Sequence, residues 1–132
     1  MIFKTQDLVK TTNKNNIFLF HGVNEGHKEE ILENFFFPKF KNVFKYFEKK
    51  IFTNIESFYN EILSKSFFEK DKLIIIKNAS DKIKNEIEIL KEKKLDDINI
   101  ILISGILDKK SKLRNLFEKE KNLISVGFYS DN

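Results

Sequence analysis

The chain has 132 residues, of which 41% are hydrophobic and 33% are charged, and its formal net charge is +4. A chain of this length and apolar content is expected to fold as one globular domain, which excludes an intrinsically disordered class. Cysteine is absent, so disulfides, a thiol nucleophile and a thiolate metal site are excluded as well. The two histidines, His21 and His27, have no ligand spacing with other candidate residues. We therefore expect neither a metal nor a cofactor.

The hydropathy of the chain predicts a cytoplasmic protein. Its first residues, MIFKTQDLVK, lack the charged-then-apolar order of a secretory signal. No apolar run approaches the length of a transmembrane helix. We therefore expect cytoplasmic localisation and no contact with a membrane.

Short apolar runs alternate with helical patterns along the chain, which predicts a parallel sheet covered by helices on both faces. We predict five strands, at 17–20, 43–47, 73–76, 99–103 and 123–126. The helices between them are predicted at 26–36, ended by Pro38, and at 55–63, capped by Asn54, with a short earlier helix at 5–9. Two later helices are predicted, one capped by Ser80 and running to about Lys93 and one beginning at Asp108 or Ser111. Lys45 alternates with apolar residues, so the strand at 43–47 is predicted to be an edge strand. The prediction is a three-layer α/β domain with a five-stranded, mainly parallel sheet.

The turn after the first predicted strand lies where a phosphate-binding loop would be. Such a loop needs the pattern G-x-x-x-x-G-K-[ST]. Here Gly22 and Gly26 are one residue too close, Lys28 is displaced, and Glu29 replaces the hydroxyl that would bind Mg²⁺. The pattern indicates a degenerate phosphate loop that does not bind nucleotide. The alternative is a divergent P-loop nucleotide-binding protein that uses Gly22, Gly26 and Lys28.

Other catalytic signals are also missing from the sequence. The strand at 73–76 ends in Lys77-Asn78-Ala79, without the acid that holds Mg²⁺ in a P-loop enzyme. Ser104-Gly105 lacks the pattern of a nucleophile elbow. A doubly wound signalling domain would need acids at the carboxyl ends of its strands, and no such cluster is visible. We therefore expect a non-catalytic domain.

The stretch SKSFFEKDK at 64–72 places two adjacent phenylalanines, Phe67 and Phe68, among lysines, serines and acids. Ser64 and Ser66 favour leaving the preceding helix, which would put the pair on a solvated loop. Either both rings pack at the start of the next core strand, or they form an exposed anchor for another protein. A second aromatic run, 35–37 with Phe40, is predicted to pack around Pro38, with a partner surface as the alternative.

Three segments in this order resemble one family. They are residues 17–22, Ser66-Phe67-Phe68 running into LIIIKNAS at 73–80, and ILISGILDKKSKLRNLF at 101–117. The chain resembles the N-terminal domain of the bacterial DNA polymerase III delta subunit, which opens the sliding clamp within the clamp loader. The resemblance implies an AAA+-like, P-loop-derived domain without functional Walker motifs. It also implies that residues 1–132 are one domain of a longer subunit, followed by a helical domain and a collar domain.

The resemblance further implies a function and a site. Such a domain binds the beta sliding clamp and helps to open it for loading at replication sites, without hydrolysing ATP itself. The clamp-binding residues would be Ser66, Phe67 and Phe68, with Phe67 standing where many members have leucine. Other clamp-loader subunits would bind through the domains beyond this chain, in a polymerase complex that has nucleotidyltransferase activity. Any DNA contact is expected to be indirect; the basic run at 109–114 is either a solvated helix face or a phosphate contact.

Overall fold

The fold is described from a computed structural model that covers residues 1–10, 17–68, 72–93 and 98–129, with the side chains of residues 9, 10 and 65–68 left out of the description. Its strands form a single parallel sheet in the order β1-β6-β2-β5-β4-β3. They are β1 (Ile2–Phe3), β2 (Ile17–His21), β3 (Asn42–Phe47), β4 (Lys72–Lys77), β5 (Ile98–Ile103) and β6 (Leu123–Gly127).

The five strands predicted from the sequence are confirmed, but the predicted strand count was wrong, because the described residues form six strands. The additional strand, β1, has only two residues and pairs with β6, with Ile2 opposite Ser125. A strand of two residues is too short to show an alternation of apolar and polar residues. β3 lies at the opposite edge of the sheet, as its alternating pattern predicted.

The α-helices of the described residues are α1 (Glu25–Ile31), α2 (Glu48–Thr53), α3 (Ile55–Phe68), α4 (Lys84–Glu92) and α5 (Lys112–Lys119). Three 3₁₀ segments, Thr5–Lys10, Phe37–Lys39 and Asp81–Ile83, and one π-helical segment, Leu32–Phe36, complete the helical structure.

Hydrogen bonds confirm the helix starts that the sequence predicted. The Asn54 side chain accepts from the Ser57 backbone N–H at 3.0 Å, and the Ser80 hydroxyl accepts from the Lys82 N–H at 3.3 Å. Ser111 is the cap of α5, because its hydroxyl accepts from the Arg114 N–H at 3.2 Å. This contact decides between Asp108 and Ser111 as the start of that helix.

Two predicted helices differ from the structure. The helix expected at 26–36 begins at Glu25, and its α-helical part ends at Ile31, where a wider π-helical turn brings the Phe36 ring to 5.3 Å from Phe18 and 5.8 Å from Phe20. The helix expected at 55–63 continues to Phe68. A serine costs only a few tenths of a kcal/mol in a helix, which is too little to end it at residue 64. The six-residue α2 was not predicted, since it is too short to show a helical period.

Each face of the sheet carries its own hydrophobic core. On one face α2, α3, α4 and α5 pack over residues such as Ile74, Ile76 and Leu102. On the other face α1 and the π-helical turn pack over Phe18, Phe20 and Ile75. Burial on both faces explains why the central strands are nearly continuous apolar runs. It confirms the predicted three-layer α/β arrangement.

The strand order separates this sheet from the common doubly wound arrangements. Apart from β1, the first strand, β2, lies between β6 and β5, and β5 and β4 separate it from β3. In the flavodoxin-like order of signalling domains the first and second strands are neighbours. The order therefore argues against the signalling-domain alternative. It also places the turns after β2, β4 and β5 together at the carboxyl edge of the sheet, where α/β proteins bind ligands.

Candidate functional site

The turn between β2 and α1 is packed tightly against the rest of the carboxyl edge. Gly22 has a φ of +122°, and a Cβ atom there would lie 2.4 Å from the Phe128 carbonyl oxygen. Its N–H donates to the Gly105 carbonyl at 2.9 Å, while the Asn24 N–H donates to Phe128 at 2.9 Å. Only glycine fits at position 22, because both the backbone conformation and the close approach of the next segment exclude a side chain. Gly26 has no such constraint, since a Cβ there would meet only the Asn24 side chain, at 3.7 Å.

Lys28 is buried, and its ammonium group points into the protein. The Nζ atom donates to the Gly22 carbonyl, the Ser104 carbonyl and the Glu25 carboxylate, each at 2.7 Å. An ammonium has three N–H donors, so these three acceptors satisfy it completely. The Ser104 hydroxyl in turn donates to the Ala79 carbonyl at 2.7 Å. Lys28 and Ser104 together connect the segments that follow β2, β4 and β5.

This geometry differs from that of a phosphate-binding lysine, which extends toward the ligand. A cavity of about 130 Å³ beside the turn is lined by Glu25, Lys28, Glu29, Leu32, Lys77, Asn78 and Ile103. The carboxylates of Glu25 and Glu29 at its edge would repel a phosphate group. Lys77 stands at the end of β4, where a P-loop enzyme would present its Mg²⁺-binding acid. In the described ranges, His, Asp and Glu side chains form no group of three that could hold a metal.

The N-terminus of α5 is occupied by a carboxylate from a neighbouring segment. Asp81 accepts from the Ser111 hydroxyl at 2.6 Å and from the Lys112 and Leu113 N–H groups at 3.1 Å each. These bonds, that of Ser111 first, hold the pKa of Asp81 below its ordinary value. Since Asp81 already satisfies this helix start, the geometry favours a solvated helix face over a phosphate contact in the basic run at 109–114.

The predicted clamp-binding residues lie in the last turn of α3. Ser66, Phe67 and Phe68 are helical, which corrects the expectation of a solvated loop. Their side chains lie outside the described residues, so the choice between core packing and an exposed anchor stays a prediction. Leu63, four residues before Phe67 on the same helix, is 39% exposed.

A buried histidine network was not predicted from the sequence. The His21 ring lies 2.9 Å (Nδ1) from the Tyr129 hydroxyl and 3.2 Å (Nε2) from the Ser125 hydroxyl. Burial, aided by the positive charges of Arg114 and Lys28, lowers the pKa of His21 to about 4. Ser125 is 1% exposed, so this serine–histidine pair is inaccessible to a substrate. Ser125 and His21 are 104 residues apart in the chain, and no local pattern relates them.

Comparison with known proteins assigns no family to the chain. No protein-family model matches it, and no curated protein matches it in sequence. No helix within the described ranges has the length and apolarity needed to cross a membrane. The function is therefore inferred from the chain's own residues.

Acid should destabilise the fold through His21. The folded-state pKa of about 4 lies below the ordinary value of 6.5, so the unfolded state takes up the proton first. The stability contributed by the neutral ring is present above pH 6.5 and is lost as the pH falls toward 4, in total on the order of 3 kcal/mol. Urea unfolding of the wild type and His21→Gln across this pH range measures the contribution. We expect a smaller pH dependence in His21→Gln than in the wild type; equal slopes for the two proteins would contradict the assignment.

Proposed function

We propose that this chain is a non-catalytic interaction domain of the clamp-loader delta-subunit type, which binds the beta sliding clamp and helps to open it without hydrolysing ATP. The observation that supports this most is the position of Lys28. Its ammonium is fully engaged by the Gly22 and Ser104 carbonyls and by Glu25. A lysine held in this way stabilises the turn and leaves no donor for a phosphate.

The fold supports an AAA+-like origin for the domain. The sheet is parallel and helices cover both of its faces, with the degenerate turn at the carboxyl end of β2. A degenerate turn on such a sheet is what the delta-subunit resemblance implies.

The geometry of α3 supports Phe67 and Phe68 as the clamp anchor. Phe58 and Ile62 are buried and mark the side of α3 that faces the core. At about 100° per residue, positions 67 and 68 lie about 140° and 240° around the helix from Ile62. Both positions therefore fall outside the core-facing stripe. Position 67 follows exposed Leu63 by one turn, so an apolar anchor there would be continuous with an exposed leucine.

The anchor would open the clamp by differential affinity. A ligand shifts a conformational equilibrium only as far as it binds one state better than the other. Burying one phenylalanine is worth about 1.5–3 kcal/mol. Two such residues in one pocket, if the pocket is better formed in the open ring, supply a bias of useful size without ATP.

Calorimetric titration of the domain with its cognate sliding clamp tests the anchor. We expect Phe67→Ala/Phe68→Ala to weaken binding at least about a hundredfold, since two buried rings are removed. Ile89→Ala is the matched control, because Ile89 is a 46% exposed apolar residue on α4. Circular dichroism and the melting temperature check that each variant folds. A folded double variant that binds the clamp as well as the wild type would contradict the proposal.

The alternative function, a divergent P-loop nucleotide-binding protein, is favoured only by the small cavity between α1 and β4. It requires Lys28 to release its backbone acceptors. A ligand that binds only the native state stabilises it by about 2.7 kcal/mol when the ligand concentration is 100 times the dissociation constant. We expect millimolar Mg·ATP to leave the melting temperature unchanged. A rise that depends on ATP concentration would instead favour the alternative.

A further inference from the structure

One short segment carries a net charge as large as that of the whole chain. Residues 39–50 contain five lysines and one acid, Glu48, a net charge of +4. The whole chain has 24 basic and 20 acidic residues, so the remaining 120 residues hold 19 of each and are neutral. Clustered basic charge is a sign of a polyanion-binding surface.

The structure displays this charge on the edge strand and the start of the next helix. The five lysines are all exposed: Lys39, Lys41, Lys45, Lys49 and Lys50. Glu48 is 7% exposed and accepts from the Ser80 N–H at 2.9 Å and from the Ser80 hydroxyl at 2.7 Å. The one acid of the segment is therefore turned inward, and the lysines face solvent.

Phenylalanines lie between lysines along the same edge. Lys45 Nζ lies 5.6 Å from the centroid of the Phe37 ring. Phe47, two residues after Lys45 and 50% exposed, has Lys77 Nζ at 6.0 Å from its ring centroid. Lys77 is the partner of Phe47 across β3 and β4. Phe37, Lys45, Phe47 and Lys77 thus form an aromatic–lysine row on the side of β3 that also carries Val43.

We propose that this aromatic–lysine row, with the exposed lysines around it, binds single-stranded nucleic acid. Proteins that bind single strands without sequence preference combine a basic track for the phosphates with aromatic rings on which bases stack. Same-face residues on a strand are about 6.6 Å apart, so Lys45 and Phe47 place a cation and a ring close together on β3. The sole arginine, Arg114, lies on α5, outside the row. Charge and stacking do not depend on the identity of the base, so we expect binding without sequence preference.

The other basic stretch lacks these features. Lys109, Lys110 and Lys112 are exposed, but two acids lie close by: Asp81 and Asp108 line one open cleft with Lys110, and the Lys112 N–H donates to Asp81. The exposed apolar residue there is Ile106, which offers no ring for stacking. This stretch therefore serves as an internal control with a similar number of lysines. Nucleic-acid binding at β3 does not depend on clamp binding at α3, so a negative result for one leaves the other standing.

Fluorescence anisotropy of a labelled oligothymidylate over a range of salt concentrations tests the phosphate contacts. For single strands the slope of log K against log salt is about −0.7 for each phosphate neutralised. We expect Lys41→Gln/Lys45→Gln/Lys49→Gln to reduce the magnitude of this slope by about 2. Lys109→Gln/Lys110→Gln/Lys112→Gln should keep the slope of the wild type. Absence of salt-dependent binding by the wild type, or equal loss in both triple variants, would overturn the proposal.

Phe47 distinguishes a nucleic acid from another polyanion. Phe47→Ala should weaken oligothymidylate binding roughly tenfold with an unchanged salt slope, because base stacking is lost. Phe47→Tyr keeps an aromatic face and should retain the affinity. If Phe47→Ala has no effect and polyglutamate competes as well as the oligonucleotide, the proposal is overturned in favour of an acidic protein segment. Melting temperatures of all variants check their folding.

Discussion

The ammonium of Lys28 lies where the segments after β2 and β5 meet, and its bonds to the Gly22 and Ser104 carbonyls hold these segments together. The same position in a phosphate loop would be filled by ligand oxygens. Here two backbone carbonyls and Glu25 take that role, so the acceptors of the Lys28 ammonium all come from the protein itself. The tight approach of Gly22 to Phe128 and the Ser104 contact to Ala79 depend on this arrangement. The turn lies at the edge of the sheet where α/β proteins bind ligands, but the charge of Lys28 stabilises the fold instead of binding a ligand.

The two surfaces proposed for partners lie away from the turn that Lys28 holds. The end of α3 belongs to the sheet face that carries Ile74 and Ile76, whereas the aromatic–lysine row lies on the face that carries Val43. A protein bound at α3 and a polyanion bound at β3 would therefore contact opposite faces of one sheet. The two proposals together describe a domain that brings two partners together.

The sequence predicts those features that are written into consecutive residues. Strands such as 73–76 are recognisable because residues buried on both faces are uniformly apolar, and Ser111 caps its helix through a local contact. The features that were missed depend on contacts between residues far apart in the chain, or on differences in helix propensity too small to end a helix. The Ser104 acceptor of Lys28 is 76 residues away, so no motif reveals that this lysine turns inward. The end of α3 was misplaced because the helix tolerates Ser64 and Ser66 at small cost, and β1 is too short to form a pattern.

Equilibrium unfolding of Lys28→Met and of the wild type measures how far the Lys28 ammonium stabilises the fold through the Gly22 and Ser104 carbonyls. Methionine keeps the length of the buried stem but leaves the Gly22 and Ser104 carbonyls without a donor, at about 1–3 kcal/mol for each. We predict a loss of about 3 kcal/mol in the free energy of unfolding, against less than about 1 kcal/mol for Glu25→Gln, since Glu25 is 69% exposed. A Lys28→Met variant as stable as the wild type would contradict the account, because the lysine would then be available for a ligand.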